Sequence, residues 1–540
     1  MITLECRSST FLIAFWVVLL AWQRTSVHSY APRSASNLSL SRQKRHFLLP
    51  QSSLFPRNKS IPLSARRSSS SQEQSADDTQ KDDKSSPASN ERIVEFKLHS
   101  SIGSISAEVW DSCLSNTSSP FLSHAWLRCL EESKCASPST GWVPSHVSIL
   151  MDSQTVGFVP LYIKGHSLGE FIFDQQFAEA AYQNGIDYYP KLLVGVPFTP
   201  ATGHRILWHP QLVLQSFSRE EIKTLNQSVA RFLKQLASSN RVSSVHINFL
   251  TESEAEDLGG PLPLPVEDSE DVKGVALKIR SIFQRLDIKD TYLRRTSLQY
   301  HWQNVNPNNG GKPFESFDDY LSCFKSKKRI NIRRERKKVL EEEGVVIDVI
   351  TGKDILQYPG LVERIFKIYL STIDKMMWGR QYLTMEFFQL LARSDFIDYL
   401  VFVCARQNVS EREDKLEASD VFAGTFNIVK DGVFYGRYWG CLPDREVKNL
   451  HFECCYWSAI DYCIRNGLRR MEPGAGGGDY KWARGFDPAL IHSVHYICHP
   501  GLRRAVGQFL IDETENNVEL TKFLLERSAV GNRQVSTEKC

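Results

Sequence analysis

His451 and Glu453 open a segment, 450–466, whose apolar residues recur at helical spacing and which stops at Gly467, a good C-cap position. A histidine or carboxylate there can act as a general base. A glutamate in a first helical turn is also favoured by the helix dipole alone. Just upstream, Tyr435-Gly436-Arg437-Tyr438-Trp439-Gly440 sets large rings, glycines and one guanidinium on an apolar strand. Arg437 there can hold a carboxylate or phosphate while Tyr435 and Tyr438 wall a channel; the alternative is an aromatic core strand with Arg437 in an internal ion pair. Downstream, Gly474, Gly476 and Gly477 belong to a glycine run that lets a ligand approach the backbone or is only a mobile loop. Lys481 and Arg484 follow as candidate anion contacts. His166, in the turn Lys164-Gly165-His166-Ser167, is a candidate to line the same cleft, although a lone turn histidine is more often structural; Asp174 and Thr199–Thr202 share that standing.

Nine Lys/Arg against one Glu crowd into Lys325–Lys338, with Arg329, Arg333 and Arg336 on one side of a predicted helix. Such a stripe either contacts phosphates of a nucleotide donor or is a solvated helix face.

These residues need two sets of positioning elements. In the N-terminal half the pattern predicts a helix over 120–133, strands over 146–151, 156–163 and 170–174, a helix over 177–184, a strand over 192–196 running into a rigid Pro197-Phe198-Thr199-Pro200 loop, a helix over 219–239, a strand over 242–250 and an acidic, Pro/Gly-rich loop over 252–271. The C-terminal half replays that order: one long helix over 317–343, a strand over 345–350, helices over 356–372 and 384–393, strands over 399–406, 421–429 and 433–440, the 450–466 helix and a short strand over 468–472. Val156–Ile163 and Val421–Ile428 are both apolar strands with a glycine near the start. Two copies of one mixed α/β unit would give this pattern.

The 540 residues are enough for a two-lobed core, and a net charge of +3 removes a whole-protein electrostatic case for nucleic acid. Twelve cysteines include no C-x-x-C pair, so zinc and other metal centres have no support and the thiols read as reduced. The apolar block 11–22 is too short to span a bilayer and suits a signal peptide. From Arg24 to Gln72 there are nine Lys/Arg, many Ser and no Asp or Glu, a transit-peptide composition. Tyr30-Ala31-Pro32 at their junction resembles the aromatic-Ala-Pro cleavage site of bipartite presequences in algae with complex plastids. The expected organisation is therefore a signal-like segment 1–29, a transit-like segment 30–67, a linker 68–91, lobes 92–285 and 286–530, and a tail 531–540. Plastid import is the expected destination, the secretory pathway the alternative, with no stable membrane-spanning segment in the mature chain.

Several blocks resemble a known family. His124-Ala125-Trp126-Leu127, Pro160-Leu161-Tyr162-Ile163-Lys164-Gly165-His166-Ser167, Tyr188-Tyr189-Pro190-Lys191 through Pro197-Phe198-Thr199-Pro200-Ala201-Thr202-Gly203, His301-Trp302-Gln303-Asn304, Lys328–Arg336, Leu450-His451-Phe452-Glu453 and Arg484-Gly485-Phe486 occur in the order seen in the GNAT-like "peptidoglycan biosynthesis/recognition" proteins, relatives of the Fem-type peptidyltransferases. The family's Gly-Ala-Gln-Gly-Glu-His-Lys reads Gly474-Ala475-Gly476-Gly477-Gly478-Asp479-Tyr480-Lys481 here, without the Glu-His pair.

The resemblance implies an α/β fold of mixed sheets in two tandem GNAT-like lobes. It implies an N-acyltransferase that positions an amine against a thioester, with a strand, a glycine-containing break and a helix N-terminus framing the donor. Acyl-CoA is then the co-substrate and an amine-bearing small molecule or peptide the acceptor. Two other readings stand beside it: a Fem-like aminoacyl transfer from charged tRNA, which the basic stretch favours and the near-neutral charge does not, and a glycan- or peptide-binding protein on an inactive scaffold.

Overall fold

Runs of Val, Ile, Phe and Tyr write the strands of this chain. The computed structural model describes residues 59–62, 93–262, 291–375, 379–408, 416–476 and 478–530. The signal-like segment, the linker, the tail, the transit-like segment apart from 59–62 and the expected lobe boundary at 285/286 lie outside the described residues. In chain order the strands are β1 (Lys59–Pro62), β2 (Ile93–His99), β3 (Trp142–Pro144), β4 (His146–Met151), β5 (Gln154–Val159), β6 (Leu161–Lys164), β7 (Lys191–Val194), β8 (Leu207–Trp208), β9 (Ser244–Leu250), β10 (Leu293–Gln303), β11 (Val345–Thr351), β12 (Leu400–Gln407), β13 (Val421–Lys430), β14 (Val433–Cys441), β15 (Arg470–Glu472) and β16 (Asp487–Ile497).

Five of them form one sheet in the order β1-β2-β4-β5-β8, and eleven form a second, β11-β12-β13-β14-β15-β10-β16-β9-β7-β6-β3. The large sheet is mixed: β7–β9 and β14–β15 pair parallel, the rest antiparallel. Each parallel pair is bridged by a helical crossover, Arg219–Ser239 in the N-terminal half and the run Leu450–Phe452, Glu453–Trp457, Ser458–Arg465 in the C-terminal half. The strand after each unit crosses over: β10, which follows β9, pairs with β15, and β16, which follows β15, pairs with β9. The α/β class and the repeated order are therefore as the sequence implies.

The halves also share a core. Trp126, on the helix His124–Glu132 capped by Ser123, meets Phe387 and Phe396 of the C-terminal half at ring-centroid distances of 5.2 and 5.1 Å. Gly157 and Gly424, the glycines of the two matched strands, both sit where a Cβ would come within 2.7 Å of a neighbouring backbone oxygen.

Five expected elements differ. The strand expected over 156–163 is cut at Pro160 into β5 and β6, which join different sheets. Residues 170–174 are not a strand, because Phe171 adopts φ +58° and the Glu170 and Asp174 carboxylates turn onto Lys191. Glu252–Gly259 is a helix rather than loop: Thr251 caps it by accepting from Glu254 N–H, and Glu254 in turn accepts from the Arg205 and Ile206 N–H groups. The long helix splits into Phe317–Ser322 and Ser326–Lys337, the latter running into a wider turn at Lys338–Glu342. The 356–372 helix starts only at Leu361, after Pro359-Gly360.

Gly440 marks the tightest contact between helix and sheet. A Cβ there would lie 1.7 Å from the Ile368 carbonyl oxygen on Leu361–Lys375. Gly440→Ala is expected to cost roughly 1–3 kcal/mol as the helix is forced off β14. Urea unfolding checks this, with Gly165→Ala, where a Cβ meets nothing within 4 Å, as the near-neutral control.

Candidate functional site

The end of the β14–β15 ladder sets the site. Val433, Phe434 and Tyr435 pair with Arg470, Met471 and Glu472, and there the ladder stops. The next residue on the β15 side is Pro473, which has no N–H to donate, followed by Gly474 at φ +83°. On the other edge of β14, Phe426 pairs with Tyr438 and Asn427 with Gly436, so Arg437 is an extra, bulged residue whose side chain is re-aimed. Phe434, Met471 and Trp302 bury together in one core cluster. Tyr435, Glu472 and His301 therefore lie on the opposite face, and Tyr435 meets Phe121 of the N-terminal half edge-on at 5.1 Å.

On that face sits a buried carboxylate that the sequence reading missed. Glu472 is 3% exposed. Its Oε1 is 2.7 Å from Arg470 Nη2 as an ion pair, and neither oxygen accepts a hydrogen bond in good geometry. Burial raises its pKa, and Arg470, Arg437 and Arg469 pull the other way. His301 lies beside it in register (Trp302 pairs with Met471) and is held neutral, its pKa pushed down to about 3 by burial and by Arg470 and Lys481. The signal available in the sequence was a lone acid ending a short strand just before Pro-Gly.

Arg437 reaches across the halves. Its Nη2 donates to the Phe198 carbonyl at 2.5 Å and its guanidinium lies 5.2 Å from the Phe121 ring. Its Nε is buried without an acceptor in hydrogen-bond geometry, and burial lowers its pKa. Tyr438 is beside it, its hydroxyl pushed up to about 12 by burial. A second bridge runs from Gln299 Nε2 to the Pro200 carbonyl at 3.1 Å. The Thr199–Thr202 loop is thus brought to the site from the N-terminal half.

The predicted acid/base pair separates. His451 lies in an aromatic nest of Trp439, Tyr456 and Tyr480, at centroid distances of 5.4, 5.6 and 6.2 Å. Burial, Arg484 and Lys481 lower its pKa to about 4, so it is neutral at pH 7. Glu453 is not available as a base. Its carboxylate accepts from Arg336 Nε and Nη2 at 2.9–3.1 Å and from Ser458 Oγ at 2.9 Å, and it is 1% exposed.

The basic stripe stays mostly at the surface, with only Arg336 committed to a buried partner. Arg329 donates to the Ser322 and Phe324 carbonyls, Arg333 pairs with Asp318 at 2.8 Å, and Arg336, stacked on Phe317, holds Glu453. Lys481 donates to the Gly474 carbonyl at 2.6 Å, and burial lowers its pKa to about 8. Arg484 stacks 3.5 Å over Phe452 and donates to the Tyr480 carbonyl. Gly476 adopts φ +81°; Gly477 lies outside the described residues.

His166 is elsewhere, wedged over Gly141 and accepting from the Leu168 N–H. Asp174 is also elsewhere. It pairs with Lys191 at 2.5 Å and accepts from Tyr188 Oη at 2.8 Å, in a buried network that Glu170 joins at 2.8 Å from the same ammonium.

Residues 101–530 match the model of the FemAB-like family, described as peptidoglycan biosynthesis/recognition. No curated protein matches the sequence significantly. Among solved structures the chain is similar to FemX (11% identity, 75% of this chain and 99% of that one, TM-score 0.38). It is also similar to L-PGS from Bacillus licheniformis (8%, 71% and 95%, 0.35). A third is a tandem GNAT protein from the clavulanic acid biosynthesis pathway (10%, 75% and 99%, 0.34).

The Arg336–Glu453 pair gives the first test of this geometry. Glu453→Gln leaves Arg336 facing a neutral partner and is expected to lower unfolding free energy by about 3 kcal/mol, at the low end for a broken buried pair because Arg336 keeps some solvent. Chemical denaturation of the variant against Glu453→Asp measures it.

Proposed function

The chain belongs to the FemAB-like family, and from that premise we propose that it is an N-acyltransferase moving an acyl group from a thioester to an amine, with the chemistry on the face of β14, β15 and β10. The observation that carries this reading is Glu472, a buried carboxylate neither of whose oxygens accepts a hydrogen bond, placed where a parallel ladder stops. A carboxylate with a raised pKa is a suitable acceptor for an ammonium proton. In this scheme the deprotonated nitrogen attacks the thioester carbon, the developing oxyanion is met by backbone N–H freed at the Arg437 bulge, and the C–S bond breaks to release the thiol.

The donor is proposed to be acyl-CoA rather than aminoacyl-tRNA. Support comes from the basic helix: Arg336 is spent on the buried Glu453 and Arg333 on a surface pair with Asp318, which interrupts the arginine stripe a polyanion would use.

The test is thiol release from acetyl-CoA by the full chain over a panel of amines. Amine-dependent release is expected, with kcat lowered 10²–10⁴-fold in Glu472→Gln and an unchanged melting temperature. An equal rate in the variant removes Glu472 from the mechanism, and calorimetry showing no binding of acetyl-CoA or of an RNA acceptor-stem mimic removes the transferase.

We propose plastid import as the destination, on the presequence composition. A fluorescent reporter carrying residues 1–91, expressed in an alga with a complex plastid, is expected in the plastid; secretion of the reporter would reverse the assignment.

A further inference from the structure

The outer side of the basic helix has no task in the reaction proposed above. Ser326–Lys337 is twelve residues long, about 18 Å of helix, and only Ile332 among them is buried. Ile332 and Arg336, one turn apart, face the protein: Ile332 joins the core of Trp302, Phe317 and Trp457, and Arg336 holds Glu453. Lys327, Ile330, Arg334 and Lys337 follow one another three, four and three residues apart, which makes one line along the opposite side, and all four are exposed. Ile330 keeps 59% of its surface in solvent in the middle of that line.

The charges around Ile330 are of one sign. The helix carries one acid, Glu335, and it is turned toward Arg484, 3.9 Å away on the protein side. Lys325, Lys327 and Arg334 form no ion pair among the described residues; Arg334 donates to Asn331 Oδ1 at 3.1 Å. Arg333 and Lys337 have surface partners, Asp318 at 2.8 Å and Glu341 at 3.8 Å, both largely exposed, and exposed pairs of that kind hold a cation only weakly. Glu341, Glu342 and Glu343 close the patch at its C-terminal end.

A helix that buries one residue and offers a line of cations around a protruding aliphatic side chain complements a surface that is anionic outside and apolar just beneath. A nucleic acid would match the charge and leave Ile330 without a partner, and the arginine side that would track a phosphate backbone is interrupted at Arg333 and Arg336. We propose that Ser326–Lys337 is a docking helix for an anionic lipid surface, with Lys327, Arg334 and Lys337 on headgroup phosphates and Ile330 inserted among them. The contact is peripheral: no described helix is long and apolar enough to cross a membrane. The Arg336–Glu453 pair ties the docking helix to the crossover that joins β14 and β15, so docking holds that half of the protein at a fixed attitude to the lipid.

The test is binding of the full chain to vesicles of phosphatidylglycerol and of phosphatidylcholine, read by flotation and by amide hydrogen exchange. Binding to phosphatidylglycerol is expected to be roughly 10-fold or more the tighter, to weaken as salt is raised, and to slow exchange over residues 326–337. Lys327→Gln/Arg334→Gln/Lys337→Gln is expected to weaken it by roughly 10–100-fold and Ile330→Ser by roughly 3–10-fold, with melting temperatures unchanged. Lys97→Gln/Lys353→Gln/Arg504→Gln, three exposed cations elsewhere, is the control and is expected to bind as the wild type does. Protection confined to residues 1–91, or undiminished binding by the first triple variant, assigns the lipid affinity to the presequence and overturns the docking helix. Equal affinity for the two lipids overturns it as well. So does tighter binding of an RNA acceptor-stem mimic that the first triple variant loses and Ile330→Ser keeps, which would make the helix a nucleic-acid surface. Thiol release in solution is expected to be equal in the first triple variant and the wild type, so docking and transfer fail separately.

Discussion

The site depends on how long β14 and β15 stay together. Three residue pairs of parallel ladder are enough to fix Tyr435 beside Glu472, and Pro473 then withholds the donor that a fourth pair would need. Everything at the site follows from that stop. The next residues, Gly474 and Gly476, take the left-handed conformations that let the chain turn away, and Lys481 ties the turn down through the Gly474 carbonyl. The bulge one strand over turns Arg437 to the same side. A longer ladder would place these groups in an ordinary sheet face, paired or covered.

Under the proposed reaction, the crossed strands explain why the chemistry falls to one half. Leu298 on β10 pairs with Leu490 on β16, and four residues further along each strand Trp302 meets Met471 while Val494 meets Ile247. A local two-fold through the Leu298–Leu490 pair therefore exchanges the halves and sets Asn248 where Glu472 stands. An amide cannot take a proton, so the N-terminal splay keeps the geometry without the base. What that half supplies instead is a rigid loop, held through the Phe198 and Pro200 carbonyls, that closes the face opposite the carboxylate.

Period and punctuation made much of the frame legible: the two crossover helices and the strand at 421–429 follow from local pattern, whereas the alternation over 156–163 did not show the break at Pro160 that sends β5 and β6 into different sheets. The segments 293–303 and 487–497 carried no such reading. β10 mixes Arg295, Thr296, Ser297, Gln299 and His301 with its apolar residues, and β16 carries His492, Ser493 and His495. Each satisfies those groups across the sheet or against the helices laid on it, as Arg295 does with Glu513 and His246 with His495, and such pairing is invisible in one dimension. The same limit governed the site. Arg437, Tyr435 and Tyr438 were recognisable as rings around a guanidinium on a strand. That Glu453 belongs to Arg336, 117 residues upstream, was not, and Glu472 stood out only as one acid in a short strand.

The distribution of charge then becomes an argument about function. This protein buries many ionisable groups and compensates most of them internally: Glu453 by Arg336 and Ser458, Lys191 by Glu170 and Asp174, Glu254 by two backbone N–H groups. Glu170, Asp174, Arg294 and Arg484 also keep one buried polar atom without a hydrogen bond, so what sets Glu472 and Arg437 apart is their place together at one ladder end, on one face and across the junction of the halves. Strained positions gather at the same junction, where Phe171, Phe198 and Phe249 all hold φ near +58°, a conformation that bulky residues adopt only when the surroundings dictate it. A core assembled for stability alone would have relieved both the charges and the strain. Under the proposed reaction their coincidence is what a preorganised face requires, because groups that stabilise a transition state must be set before the substrate arrives.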